Sequence, residues 1–142
     1  ISTCSRAAFR MGVRDRITFA GPLNDAEVQA LYSICDVFAL PAGEGKNGRI
    51  EGLGLVFAEA HAHGKPVVAG KSGGAVEAVT HDETGLLVDP GNPEELADAI
   101  ARILSDAEYA HRLGDNGRMR VERELNWHVF TNKMLAVLGV RE

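Results

Sequence analysis

Four short apolar runs, separated by stretches with helical periodicity, constrain this chain more than any other feature. Residues 17–20 (ITFA) stop at Gly21-Pro22, 36–40 (DVFAL) at Pro41, 66–69 (PVVA) at Gly70, and 85–88 (GLLV) at Asp89-Pro90-Gly91. Such runs suit strands covered on both faces. Helical patterns fill the intervals. Residues 2–11 read as a helix ended near Gly12. Asn24 or Asp25 caps a second helix by offering a side-chain oxygen to orphan N–H groups. In it, Val28, Leu31, Tyr32 and Cys35 recur at i, i+3, i+4, i+7, the spacing of one buried face. Residues 53–63 form a helix ended by Gly64, and Gly73-Gly74 turns into a short one around 76–79. Pro93 opens the next, with Leu96, Ile100, Ile103 and Leu104 inward, because Pro suits a first helical turn. Residues 106–124 and 127–138 complete three helices in a row. Strands alternating with helices predict an α/β fold. Its core is a parallel, doubly wound, Rossmann-like sheet followed by C-terminal helices. Ligands of such sheets sit outside the carboxyl ends of the strands. The loops at 21–24, 41–52, 70–75 and 89–92 are therefore expected to share one rim.

Composition bounds the rest. The length of 142 residues fits one domain, spanning 1–142, with a core that needs no staples. A net charge of −5 lacks the electrostatic footprint of a general nucleic-acid binder. Two cysteines, Cys4 and Cys35, make neither a disulfide framework nor a four-Cys zinc site. The apolar runs fall far short of the roughly 20 residues that span a bilayer, and no signal-peptide pattern opens the chain. Ile1 stands where Met would, and the opening segment is an unconvincing start for a fold. The chain reads as a fragment whose sheet is truncated on its N-terminal side. A strand at 17–20 would then present an open edge, and self-association through it is expected.

Several motifs fail on spacing. Residues 64–72 (GKPVVAGKS) resemble a phosphate-binding P-loop, but five residues rather than four separate the first Gly from Gly-Lys, and the interval is itself a strand. Gly52-x-Gly54 meets Phe57 where a dinucleotide fingerprint needs a third Gly, and it follows a loop rather than a strand. His61 and His63, two apart, point about 200° from each other on a helix and cannot share a metal. They read as helix-surface or helix-end residues, and no metal or cofactor is expected. The charged stretch 118–123 reads as a solvated helix face.

One constellation survives. Residues 51–59 (EGLGLVFAE) carry two carboxylates, Glu51 and Glu59. Eight residues of helix separate them by about 12 Å, too far for the 5–9.5 Å (about) of a glycosidase pair acting on one bond. They suit the two ends of an elongated ligand. Between them Gly52 and Gly54 leave N–H groups at a helix start, which attracts phosphate and lets a ligand approach the backbone. Hydroxyls, then phosphates, then ribose hydroxyls is the layout of a nucleotide sugar. The alternative is that Glu51 is a helix-cap anion and Glu59 a surface residue, in a non-catalytic Rossmann-like module whose site is vestigial. A second alternative is a sugar-nucleotide epimerase of the same shape.

Residues 51–60, 64–69, Gly73-Gly74, Glu77 and 84–88, with 15–21, 31–32 and 36–41 upstream, together resemble the donor-binding half of retaining GT-B glycosyltransferases of family 4. The Glu-Gly-Leu-Gly start and the Gly-rich loop before it are most similar to phosphatidylinositol mannosyltransferases. The resemblance spans roughly 12–130. It implies that Glu51 approaches the donor sugar as the catalytic carboxylate and that Glu59 binds the nucleotide ribose. It also implies that amides around Gly52, Leu53, Gly54 and Leu55 face sugar and phosphates, and that Gly21 to Leu23 border the base. The implied donor is a UDP- or GDP-sugar and the implied partner an N-terminal acceptor domain. The implied setting is the cytoplasm, peripheral at the inner face of the membrane. Pro41-Ala42, where Pro-Ser is common, and His61 and His63 depart from the family pattern without touching the Glu pair. An upstream Arg/Lys pair that binds the donor phosphates is absent from this chain. The loop 42–50, with three Gly, is expected to be mobile without partner and ligand.

Overall fold

A computed structural model describes residues 3–43 and 54–139. The loop 44–50 and the site residues Glu51, Gly52 and Leu53 lie outside the described residues. The chain divides into two compact units, residues 1–30 and 31–142.

The first unit holds helix α1 (Thr3–Arg10) and a single 3-10 turn at Arg14–Arg16. The Arg14 guanidinium sits 5.3 Å from the Phe19 ring centroid and donates to the Ile17 carbonyl at 3.0 Å. Helix α2 (Asp25–Ile34) begins here and runs into the second unit. Its start is a reciprocal cap. The Glu27 amide donates to Asn24 Oδ1 at 3.0 Å, and the Asn24 amide donates to Glu27 Oε2 at 2.8 Å. This satisfies two orphan donors at once. The strand expected at 17–20 is absent. Ile17 has extended dihedrals, but no ladder forms there. Its β-branched and aromatic residues suit a strand, yet a strand exists only where a second one pairs with it. Self-association through an edge at 17–20 loses its basis with it.

The second unit is built on a three-stranded parallel sheet in the order β1 (Phe38–Leu40), β2 (Val67–Gly70), β3 (Gly85–Val88). Phe38 pairs with Val67 and Val67 with Gly85, so the strands are in step. All four residues of β2 are buried, as its apolar run requires. β1 departs from the expectation of cover on both faces: Ala39 is exposed, whereas β3, the other edge of the sheet, is almost wholly buried. Val68, Leu86 and Val88 form one core with Ala99, Ile103, Tyr109 and Leu113 from α5 (Pro93–Ser105) and α6 (Ala107–Glu124). Side chains alternate along a strand, so Val67 and Ala69 face the other layer, made by α3 (Leu55–Ala62) and α4 (Ala75–Ala78). Helix α7 (Trp127–Val137) follows α6. Among the described residues, no helix is long and apolar enough to cross a membrane.

Caps explain the helix starts. The Asn92 side chain accepts from the Glu94 and Glu95 amides ahead of α5, Asp106 from Tyr109 ahead of α6, and Asn126 from Val129 ahead of α7. Three expectations of inward or outward facing need correction. Leu31 is exposed because the larger Tyr32, one helical step away, takes the buried position. Leu104 is exposed because the buried stripe of α5 runs through Ala99 and Ile103 instead. Arg120, within the charged stretch of α6, is no freely solvated residue. Its guanidinium donates to the Ala78 carbonyl at 2.9 Å, to Thr80 Oγ1 at 3.1 Å and to the Glu77 carbonyl, closing the C-terminal end of α4.

His61 also departs from expectation. It is fully buried on α3, and its Nε2 lies 2.9 Å from the Thr84 carbonyl. A carbonyl only accepts, so Nε2 carries the proton. Nδ1 is buried with no partner among the described residues. The ring packs against Gly117 of α6, where a Cβ would collide with it, and a Cβ on Gly114 would collide with the Gly64 carbonyl. Two glycines three apart on α6 thus admit α3 at close range.

Gly117→Ala gains about 1 kcal/mol of helix propensity, but the added methyl meets a ring with nowhere to go, and overpacking costs about 1–3 kcal/mol. Urea denaturation is expected to show net destabilisation. A more stable variant would contradict the contact. Burial holds the His61 imidazole below its ordinary range, partly opposed by its bond to Thr84. A base depressed on folding contributes stability above the unfolded value of about 6.5 and loses it as pH falls toward the folded midpoint. A histidine NMR titration is expected to place the His61 midpoint below that value, and a midpoint above it would contradict the burial.

Candidate functional site

The carboxyl ends of the strands meet on one rim. Gly70, closing β2, passes so near the Ala42 carbonyl beyond β1 that a Cβ would collide with it. Gly43 lies against Pro90, where an added Cβ would sit 2.8 Å from the ring carbons. The Lys71 amide donates to the Val88 carbonyl at 2.8 Å. Beyond β3, the Asp89 amide donates to Glu95 Oε2 at 3.1 Å, and Lys71 Nζ reaches Glu95 Oε1 at 3.5 Å. The described parts of the loops at 41–52, 70–75 and 89–92 therefore do converge. The loop 21–24 belongs to the first unit; within it Gly21 has φ of 72°, and Leu23 is half-buried.

Helix α3 is the next described element after β1 in the chain, and its start is unusual. Gly54 is the N-cap in a left-handed conformation, φ 65° and ψ 38°, and offers no side-chain acceptor. A Cβ there would sit 2.7 Å from the Phe57 ring, so both the backbone and the packing demand glycine. The Gly54 carbonyl accepts from the Phe57 amide at 2.9 Å. The Leu55 and Val56 amides, the first two of the helix, have no acceptor among the described residues. They present the positive end of the helix dipole, a ready place for an anion.

Glu59 lies one turn into α3, with its side chain exposed. Tyr32 of α2 donates its phenol proton to Glu59 Oε2 at 3.1 Å, with the Val56 carbonyl a weaker second acceptor at 3.4 Å. Burial first, and the Glu59 bond and charge next, push the Tyr32 phenol up to about 12, so it stays protonated as a donor. The ring is held edge-on to Phe38 at 5.5 Å and stacked on His63 at 5.8 Å, while Phe38 meets Phe57 edge-on at 6.0 Å. Sequence reasoning placed Tyr32 only on a buried stripe. The available signal was its hydroxyl, since a buried Tyr needs a partner. Of the site residues read from the sequence, the structure brings Gly54, Leu55 and Glu59 together on α3.

The profile of the family described as glycosyl transferases group 1 matches residues 4–120. The chain belongs to that family. It is 41% identical, over 94% of its own length, to a GDP-mannose-dependent alpha-(1-6)-phosphatidylinositol monomannoside mannosyltransferase of Mycobacterium tuberculosis (strain CDC 1551 / Oshkosh), of which it covers 35%. It therefore spans about a third of the length of the curated relatives it matches. Among solved structures it is similar to sucrose-phosphate synthase from Thermosynechococcus elongatus, with a TM-score of 0.83, 36% identity, and cover of 95% of this chain and 32% of that one. It is also similar to Anabaena HepE in complex with UDP, with a TM-score of 0.80, 27% identity, and cover of 97% and 36%. The fold is that of the C-terminal domain of a GT-B glycosyltransferase.

Gly54→Ala tests the helix start. A left-handed Ala and a collision with Phe57 are expected to cost about 1–3 kcal/mol in denaturant. No loss of stability would mean that Gly54 is not left-handed.

Proposed function

We infer that this chain is the donor-binding portion of a retaining glycosyltransferase that moves a hexosyl group from a nucleotide sugar to an acceptor hydroxyl. The observation that carries this reading is the N-terminus of α3, whose Leu55 and Val56 amides have no acceptor among the described residues, with the Glu59 carboxylate one turn along it. The diphosphate sits at the Gly52–Leu55 end, where helix amides stabilise the negative charge that develops as it leaves. Glu59 accepts from ribose hydroxyls. Glu51 faces the reacting sugar and orients it. The acceptor is held by a separate N-terminal domain of the longer protein. A GDP-sugar is favoured over a UDP-sugar, because the relative named for GDP-mannose is 41% identical whereas the neighbour that holds UDP is 27% identical. That relative acts on a phosphatidylinositol monomannoside, which supports a lipid acceptor and a place at the inner face of the membrane.

Two substitutions test the division of labour. Glu59→Gln is expected to weaken GDP binding about ten- to a hundredfold, the worth of a charged hydrogen bond, with the melting temperature nearly unchanged. Unaltered affinity by calorimetry would remove Glu59 from the site. Glu51→Ala in the full-length protein is expected to cut transfer about a hundredfold or more while nucleoside diphosphate affinity changes far less. Equal loss of both would make Glu51 a general binding residue.

A further inference from the structure

The reading of Glu59 as the ribose acceptor leaves a question of chemistry. An exposed Glu on a helix samples several rotamers, and freezing it costs entropy when a ligand binds. Here one of its oxygens is already held. Tyr32 is 6% exposed, and its hydroxyl donates to Glu59 Oε2 at 3.1 Å. Its ring cannot swing away, being wedged between Phe38 and His63. His63 is the C-cap of the same helix that carries Glu59, so the clamp and the carboxylate share one rigid element. Oε1 takes no other hydrogen bond among the described residues. A carboxylate has about four acceptor sites, so one donor on Oε2 leaves ample capacity for a vicinal diol.

We propose that Tyr32 is a positioning residue for the nucleotide site: it fixes the Glu59 carboxylate in the rotamer that receives the ribose hydroxyls, without touching the ligand itself. This rests on the ribose assignment of Glu59. Tyr32 is 27 residues from Glu59 in sequence and lies on a different helix. The phenol donor matters beyond its packing, because a Phe would fill the same space and leave Oε2 unheld.

The test is calorimetry on the full chain with the tighter binder of GDP and UDP, and with its 2′,3′-dideoxy analogue. Tyr32→Phe keeps the ring and removes only the hydroxyl. It is expected to weaken binding of the ribonucleotide about three- to tenfold, the range of one positioning hydrogen bond. The loss is expected to vanish with the dideoxynucleotide and in a Glu59→Gln background. A loss of equal size with the dideoxynucleotide, or one that persists beside Glu59→Gln, would mean a merely structural Tyr32 and overturn the proposal. Unchanged or tighter ribonucleotide binding would overturn it too, while a loss in Glu59→Gln would leave the ribose assignment standing. If Glu59→Gln itself binds normally, the ribose assignment and the proposal fall together. Should Tyr32→Phe not fold, the Tyr32 Cζ resonance of the unmodified chain serves instead. It is expected to shift on adding the ribonucleotide and not the dideoxynucleotide, and its indifference to the ribonucleotide would overturn the proposal.

Discussion

The close approach of α3 to α6 is the contact on which the rest depends. Gly114 and Gly117 remove two side chains from α6, so the Gly64 carbonyl and the His61 ring can seat against its backbone. Both glycines sit in a helix interior, where each costs about 1 kcal/mol in propensity. What offsets that cost is burial of the α3 layer, with Phe57, Ala60 and His61 all at zero exposure. Once α3 is fixed at its C-terminal end, its direction is fixed too. Its N-terminus begins at the buried, left-handed Gly54, which has no side chain of its own to cap the helix.

Polar satisfaction follows the same line. His61 spends its one proton on the Thr84 carbonyl, just before β3 begins, which ties α3 to the turn that enters the sheet. Thr84 also closes that turn through its hydroxyl, which accepts from the Thr80 amide at 3.0 Å. Arg120 reaches the same segment from α6. His61 of α3, Thr84 of the turn and Arg120 of α6 thus fix the backbone at 77–84. Asp82 within it is left-handed at φ 63°, stabilised by the Tyr109 hydroxyl and by Arg102 at 3.0 Å. The amino ends of the strands carry the structural polar network, and the carboxyl ends are left to the loops.

Three of the four apolar runs were legible as strands because each is short, apolar and bounded by Gly or Pro. The fourth, 17–20, has the same local character, yet strand formation is a property of pairs, and local character carries no information about pairing. The first C-terminal helix was legible from Pro93 at its first turn and from the spacing of Leu96, Ile100 and Ile103, whereas the caps Asn92, Asp106 and Asn126 emerge only in the structure. His61 was misread because polarity is a poor guide to burial when a carbonyl 23 residues away can take the proton. At the site, Gly52 and Gly54 marked a helix start in the sequence, but the left-handed conformation of Gly54 and its contact with Phe57 could not be read there. Nor could the Tyr32–Glu59 bond. It joins two helices across the edge of the sheet, and no spacing rule connects them.

The Leu55 and Val56 amides at the head of α3, without an acceptor among the described residues, are proposed to bind the diphosphate of a nucleotide. Backbone amide NMR during titration with GDP, and separately with UDP, tests it most directly. The account predicts saturable shifts that are largest at Leu55 and Val56, with smaller ones in the neighbouring turn at 70–74. The absence of a saturable shift at Leu55 and Val56 with either nucleotide, or shifts centred on Asp82 and Tyr109 instead, would contradict it.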